Sequence, residues 1–176
     1  MQELSREDLA ARSACGVELL DRLEAGELVP SLAPLMKIAR ALGVRLGTFL
    51  DDEQQQAPVI VRAGHSDSVV RFSDNQRARE GSALDFFSLG AGKSDRHMEP
   101  FIIDVRLPES DHHELSSHEG EEFIYVLSGR IELLYGSSTH QLMAGDSIYY
   151  DSVVPHHLHA VGDADARILA VVYAPF

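Results

Sequence analysis

From Val59 onward the chain alternates short apolar runs with turn residues, and this rhythm limits the fold more than any other feature. The runs are "VIVRAG", "SVVRFS", "LDFFSLG", "FIIDVRL", "EFIYVLSGRIELLYG", "HQLMAGDSIYYDS", "HHLHAVG" and "ARILAVVYAPF". They are rich in β-branched and aromatic residues. Regular spacing of such runs predicts an antiparallel β-sandwich or barrel. Within it, "LSGRIEL" predicts a hairpin with Gly129 in the turn.

Residues 4–50 have a different texture. Ser5 is an N-cap candidate, with acidic residues in the turn after it. Leu19, Leu20 and Leu23 recur at helical spacing, and Gly26 is placed to end that helix. Ser31 is a second cap candidate, for a helix with Leu32, Leu35, Ile38, Ala39 and Leu42 on its apolar stripe and Gly43 at its end. "RLGTFL" adds a last short turn. "DDEQQQAP" is polar, ends in Pro58 and predicts a linker. The expected fold class is α+β: an all-α module over 1–50, a linker over 51–58 and a β-barrel domain over 59–176.

The charge divides at the same place. The net charge of −13 comes from 15 Lys+Arg against 28 Asp+Glu, and all 9 histidines lie in the β part, from His65 to His159. An acidic body repels phosphate backbones unless something offsets it. No run of about 18 apolar residues exists, so no membrane span is expected. The charged start "MQELSREDLAARS" lacks the apolar core of a signal peptide. The single Cys15 excludes an internal disulfide and a multi-cysteine metal cage. These features predict a cytoplasmic protein.

His118 and Glu122 stand at the mouth of an apolar strand, in "SSHEGEEFIYVLSG". Their positions differ by an even number, so on a regular strand they share a face. With Gly129, and with Gly145 and Pro155–His156 downstream in "GDSIYYDSVVPHHLHA", they resemble the two sequence motifs of the cupins. The resemblance covers roughly residues 96–176. It implies a double-stranded β-helix whose inward His118, Glu122 and His156 hold one divalent metal, as Zn, Fe, Mn or Ni. Two imidazoles and one carboxylate form a facial set with open positions. The family's first histidine falls at Ser116, a poor ligand, and His112 or His113 is a possible substitute. Without metal, the three residues simply hydrogen-bond to one another. His157 is expected to face away. Arg96, His97, Tyr125 and Tyr149 are candidates for a ligand pocket, Arg96 for an anionic ligand, although strand aromatics are more often core.

The segment from Leu4 to Val44 resembles the helix-turn-helix of Xre-type, phage-repressor-like regulators, through "LA" at Leu9–Ala10, Leu23–Gly26, "PSL" at Pro30–Leu32 and "IARALGV". Aligned this way, the chain opens on the family's second helix. The resemblance implies DNA contacts from Arg6, Arg12, Gly16, Val17, Glu18 and Arg22. Glu18, Asp21 and Glu24 make that recognition segment acidic, which predicts weak DNA binding with little sequence preference. A head used only for packing or dimerisation is the rival reading.

Together the two resemblances imply the Xre-cupin class. The first reading is a cytoplasmic, homodimeric regulator whose cupin binds a small-molecule effector and a metal, with no catalytic residues. The alternatives are a non-haem Fe(II) cupin oxygenase of the epoxidase kind, and a binding protein that has lost DNA contact.

Overall fold

The computed structural model describes residues 4–28, 32–50, 58–65, 84–93, 96–108 and 115–175. The head begins at α1 (Arg6–Ser13), where Ser5 Oγ accepts the Asp8 N–H at 3.1 Å. Glu7 and Asp8 in its first turn suit the positive end of the helix. Ala14 then takes a φ of 52° and turns the chain into α2 (Val17–Glu24). A left-handed residue that carries a Cβ costs on the order of 1 kcal/mol. Gly26 and Gly43 close α2 and α3 (Leu32–Leu42). The short α4 (Gly47–Leu50) follows. The expected cap Ser31 and all of the expected linker except Pro58 lie outside the described residues.

The helix α3 has two apolar faces. Ile38 joins Cys15 and Leu20 in a small head core, with Leu9, Leu19, Leu23 and Phe49 packed on it. Leu35 and Met36, with Leu46 beyond the helix, belong instead to the core of the β part. Burying each such side chain contributes about 1.5–3 kcal/mol. An exposed ion pair contributes at most about 1 kcal/mol. The apolar contacts therefore seat the head on the barrel.

The β part has eight described strands: β1 (Leu84–Ser88), β2 (Met98–Val105), β3 (Glu121–Ser128), β4 (Arg130–Tyr135), β5 (Ser138–Met143), β6 (Ser147–Asp151), β7 (His156–Ala160) and β8 (Ala166–Tyr173). They form a five-stranded sheet, β1-β2-β8-β3-β6, and a three-stranded sheet, β5-β4-β7, with every pairing antiparallel. The expected hairpin at Gly129 is corrected: β3 and β4 lie in different sheets. Gly129 is the corner between them. Its φ is 79°, and an added Cβ would stand 2.7 Å from Ala166 Cα. Only a residue without a side chain passes that close to β8 in that conformation. The true hairpin is one step later, β4 to β5, with Tyr135 paired to Ser138.

Alternation sets the core. Phe101, Ile103, Val105, Ile124, Val126, Ile131, Leu133, Ile168 and Val172 are each 5 % exposed or less and point between the sheets. Among the described residues, no helix is long and apolar enough to cross a membrane.

Candidate metal centre

Three elements converge at one end of the barrel. His118 lies just before β3, Glu122 on its inner face, and His156 at the start of β7. Their ligand atoms all lie within 4.8 Å of one another. His118 Nε2 is 2.9 Å and His156 Nε2 3.4 Å from the same oxygen, Glu122 Oε1. The three side chains are 5, 12 and 6 % exposed, in the order His118, Glu122, His156.

Backbone bonds aim both imidazoles. His118 Nδ1 lies 3.2 Å from the Glu119 carbonyl, and His156 Nδ1 2.9 Å from the Val154 carbonyl. A carbonyl only accepts, so each Nδ1 donates, and in the neutral ring Nε2 is left with its lone pair. Both lone pairs then face a carboxylate oxygen that is also an acceptor. Such a cluster requires a positive charge between its members, either a proton or a metal ion.

Sequence reasoning did not find what holds Glu122. The Tyr150 hydroxyl donates to Oε2 at 2.8 Å and the Ser152 hydroxyl to Oε1 at 3.0 Å. Pairing reveals the first of these, because Tyr150 stands opposite Glu122 in the β3–β6 ladder. No periodicity in "SIYYDS" announces it. Burial pushes the Glu122 carboxyl up, but the two histidines together pull it well below the usual carboxylate range. Burial pushes His156 down, yet the bonds to Glu122 and the Val154 carbonyl outweigh it and leave the imidazole raised. Burial and the Glu122 charge push the Tyr150 hydroxyl far up, so it remains a donor. Orienting partners of this kind accompany metal ligands generally. The donor chemistry thus fits a divalent transition metal.

The other candidates are distributed as follows. Ser116 pairs with His156 through the backbone, and its hydroxyl lies 3.2 Å from the His156 carbonyl rather than in the cluster. His112 and His113 lie outside the described residues. Arg96 precedes β2, its side chain 7 % exposed, with Nε 2.6 Å from Glu99 Oε2. Glu99 shares a cross-strand row with Val172 and Glu122. His97 is exposed. Tyr125 and Tyr149 are corrected as interior pocket residues: they are 38 and 63 % exposed, on the outer face of the five-stranded sheet. Their positions are odd where the inward Ile124, Val126 and Tyr150 are even. His157 packs beside His159 and is outside the cluster, as alternation predicts.

In the head, Arg6 is bound to the acidic helix itself. Its guanidinium lies 3.3 Å from Asp21 and 2.6 Å from Glu24. Gly16 caps α2. Arg12, Val17, Glu18 and Arg22 are exposed around the turn and on α2.

Comparison with known proteins places two family models on the chain. Residues 2–55 match the Cro/C1-type HTH DNA-binding domain, and residues 103–172 match the cupin domain. The chain is 26 % identical over 159 residues to (S)-2-hydroxypropylphosphonic acid epoxidase of Streptomyces wedmorensis, covering 84 % of this chain and 76 % of that protein. It is 23 % identical over 170 residues to the HTH-type transcriptional regulator PuuR of Escherichia coli (strain K12), covering 96 and 86 %. Among solved structures, an HTH_3 family transcriptional regulator from Vibrio cholerae superposes with a TM-score of 0.65 at 24 % identity, covering 98 and 88 %. The epoxidase superposes with a TM-score of 0.54 at 23 % identity, covering 97 and 90 %. These superpositions show a shared fold.

Proposed function

We propose, for a chain that joins a Cro/C1-type helix-turn-helix domain to a cupin domain in the manner of the Xre-cupin regulators, that the barrel holds one divalent cation on His118, Glu122 and His156. A small ligand that reaches the cation then modulates DNA binding by the head. The convergence of two imidazole Nε2 atoms on one carboxylate oxygen carries this reading. Bound there, the cation supplies Lewis acidity and open positions to a ligand oxygen. Tyr150 and Ser152 hold the carboxylate in place, and the two backbone carbonyls hold the ring orientations.

The regulator acts in the cytoplasm on DNA, and its own charges limit its grip. Arg6 is engaged with Asp21 and Glu24, which leaves few cations for phosphates. A log–log salt slope of about −2 to −5 is expected for a dimer. The outer face of the five-stranded sheet supports a dimer. Its central rows are Ile102–Leu169–Tyr125 and Pro100–Val171–Phe123–Tyr149, without a charged residue. On a chain of net charge −13, that is where a second copy meets the least repulsion. Light scattering at micromolar concentration tests it, with a dimer mass expected and a monomer mass contradicting it.

A second reading is an Fe(II) oxygenase. It is favoured by the donor set, which matches that class of site, and by the similarity to the epoxidase. The experiment that separates the two loads the protein with Fe(II), follows oxygen uptake and, in parallel, selects duplexes from a random pool. The regulator reading expects enriched duplexes and no uptake above free iron. Uptake without enrichment transfers the function to the oxygenase.

A further inference from the structure

We propose that Glu119 is the relay between the metal centre and the helix-turn-helix, with Arg40 as its receiver; this rests on the reading of His118, Glu122 and His156 as a cation site. The observation is a short bonded path. Arg40, on α3, pairs with the Glu119 carboxylate. The carbonyl of that same residue accepts the His118 Nδ1 proton at 3.2 Å. One residue therefore touches α3 with its side chain and a candidate ligand with its backbone.

The segment that carries the relay is fixed on its other sides. Gly120 has a φ of +109°, and a Cβ there would stand 1.9 Å from the Tyr173 carbonyl oxygen. The Gly120 carbonyl accepts the Ser152 N–H at 2.9 Å, and the His118 N–H donates to the Ser152 carbonyl at 3.0 Å. Ser152 also donates its hydroxyl to Glu122. The residues 118–120, Ser152 and Glu122 thus form one hydrogen-bonded frame around the site. A frame held this tightly passes a displacement on rather than absorbing it.

The direction follows from imidazole chemistry. A cation on Nε2 withdraws charge from the ring and makes the Nδ1 proton a stronger donor. The Glu119 peptide is drawn toward the ring, and the side chain that holds Arg40 moves with it. α3 responds as a unit, since Leu35 and Met36 seat it on the barrel while Ile38 belongs to the head core. Coupling through an exposed pair is modest, and it is reciprocal between the two sites.

Hydrogen exchange on the full chain, with and without Zn2+ alone, tests the relay. In the wild type, Zn2+ is expected to slow exchange in 118–122 strongly, and in 32–42 by about two- to five-fold. In Glu119→Gln and Arg40→Gln, the protection of 118–122 is expected to persist and the effect on 32–42 to vanish. Protection of 118–122 in the wild type with no change in 32–42 overturns the relay and leaves the metal centre standing. A response of 32–42 in both variants equal to the wild type also overturns it. No protection anywhere overturns both.

Discussion

The head and the barrel each bring acidic side chains against cationic or ionisable partners, with opposite consequences. In the head, Arg6 meets Asp21 and Glu24 with all three side chains about half exposed. Water competes for every one of those bonds, so the clamp neutralises charge and adds little stability. In the barrel, Glu122 receives Tyr150, Ser152 and two histidines with almost no exposure. There the bonds fix one geometry, and the remaining lone pairs need a cation. The same chemistry is a surface adjustment in one place and a candidate cation site in the other, and burial decides which.

Replacing a carboxylate on each side should produce the largest contrast. Glu122→Ala leaves the Tyr150 and Ser152 hydroxyls without their acceptor. About 3 kcal/mol is the expected loss in denaturant unfolding of the metal-free protein, at about 1–3 kcal/mol per buried unsatisfied group. Glu24→Ala should leave the denaturation midpoint nearly unmoved. Equal losses would erase the distinction.

An intermediate effect is expected where backbone strain differs between the two parts. Gly129 takes its positive φ without a Cβ, whereas Ala14 takes one with it. Ala14→Gly should stabilise the chain by about 0.5 kcal/mol, the strain relieved minus the entropy lost by a more flexible unfolded chain. Gly129→Ala should destabilise it, since its Cβ meets Ala166. Thermal melts of the two variants should move in opposite directions.

Asp104 and Arg167 provide a pair between these extremes, at 31 and 54 % exposure. The hydrogen bond from Arg167 holds the Asp104 carboxyl below its ordinary value, against the effect of burial. A folded-state pKa that is lowered gives stability that is present above the unfolded value of about 3.9 and lost as pH falls through the folded one. Asp104→Asn should therefore cost less than about 1 kcal/mol at neutral pH and nothing at the acid end of a stability–pH profile. A loss that grows on acidification would reverse the sign.

The smallest effect concerns DNA. Asp21→Asn with Glu24→Gln frees Arg6 and should raise non-specific duplex affinity a few-fold. The salt slope should steepen by about 0.9 for each phosphate newly contacted. An unchanged slope in a salt titration would mean that Arg6 does not reach the duplex even when released.

Much of this was legible in the chain. The change of texture along the chain separates helices from strands because periods of 3.6 and 2 differ visibly over short windows, although "VIVRAG" forms no strand and the first described strand is β1 at Leu84. The motif spacing put His118 beside Glu122, although His118 precedes β3 rather than sharing a strand face with Glu122, and a second motif supplied His156. Four things were hidden. The two-sheet corner at Gly129 looks like a hairpin turn, because a glycine with positive φ serves both. The outward direction of Tyr125 and Tyr149 followed from parity, yet an aromatic on a strand also suits a pocket. The Tyr150 and Ser152 bonds depend on strand pairing between distant segments, which no local pattern encodes. The seating of α3 on the barrel was equally invisible, since one helical stripe does not say which of its residues serve which core.

The central claim is that His118, Glu122 and His156 act together as a cation site. Metal analysis of the purified chain, grown in metal-replete medium and compared with His156→Ala, tests it most directly. The account predicts about one equivalent of a divalent transition metal per chain in the wild type and less than about a tenth in the variant, because two remaining ligands rarely suffice. Less than about a tenth of an equivalent in the wild type, with none taken up on addition of Zn2+, Fe2+, Mn2+ or Ni2+, would contradict it, as would equal occupancy in both proteins.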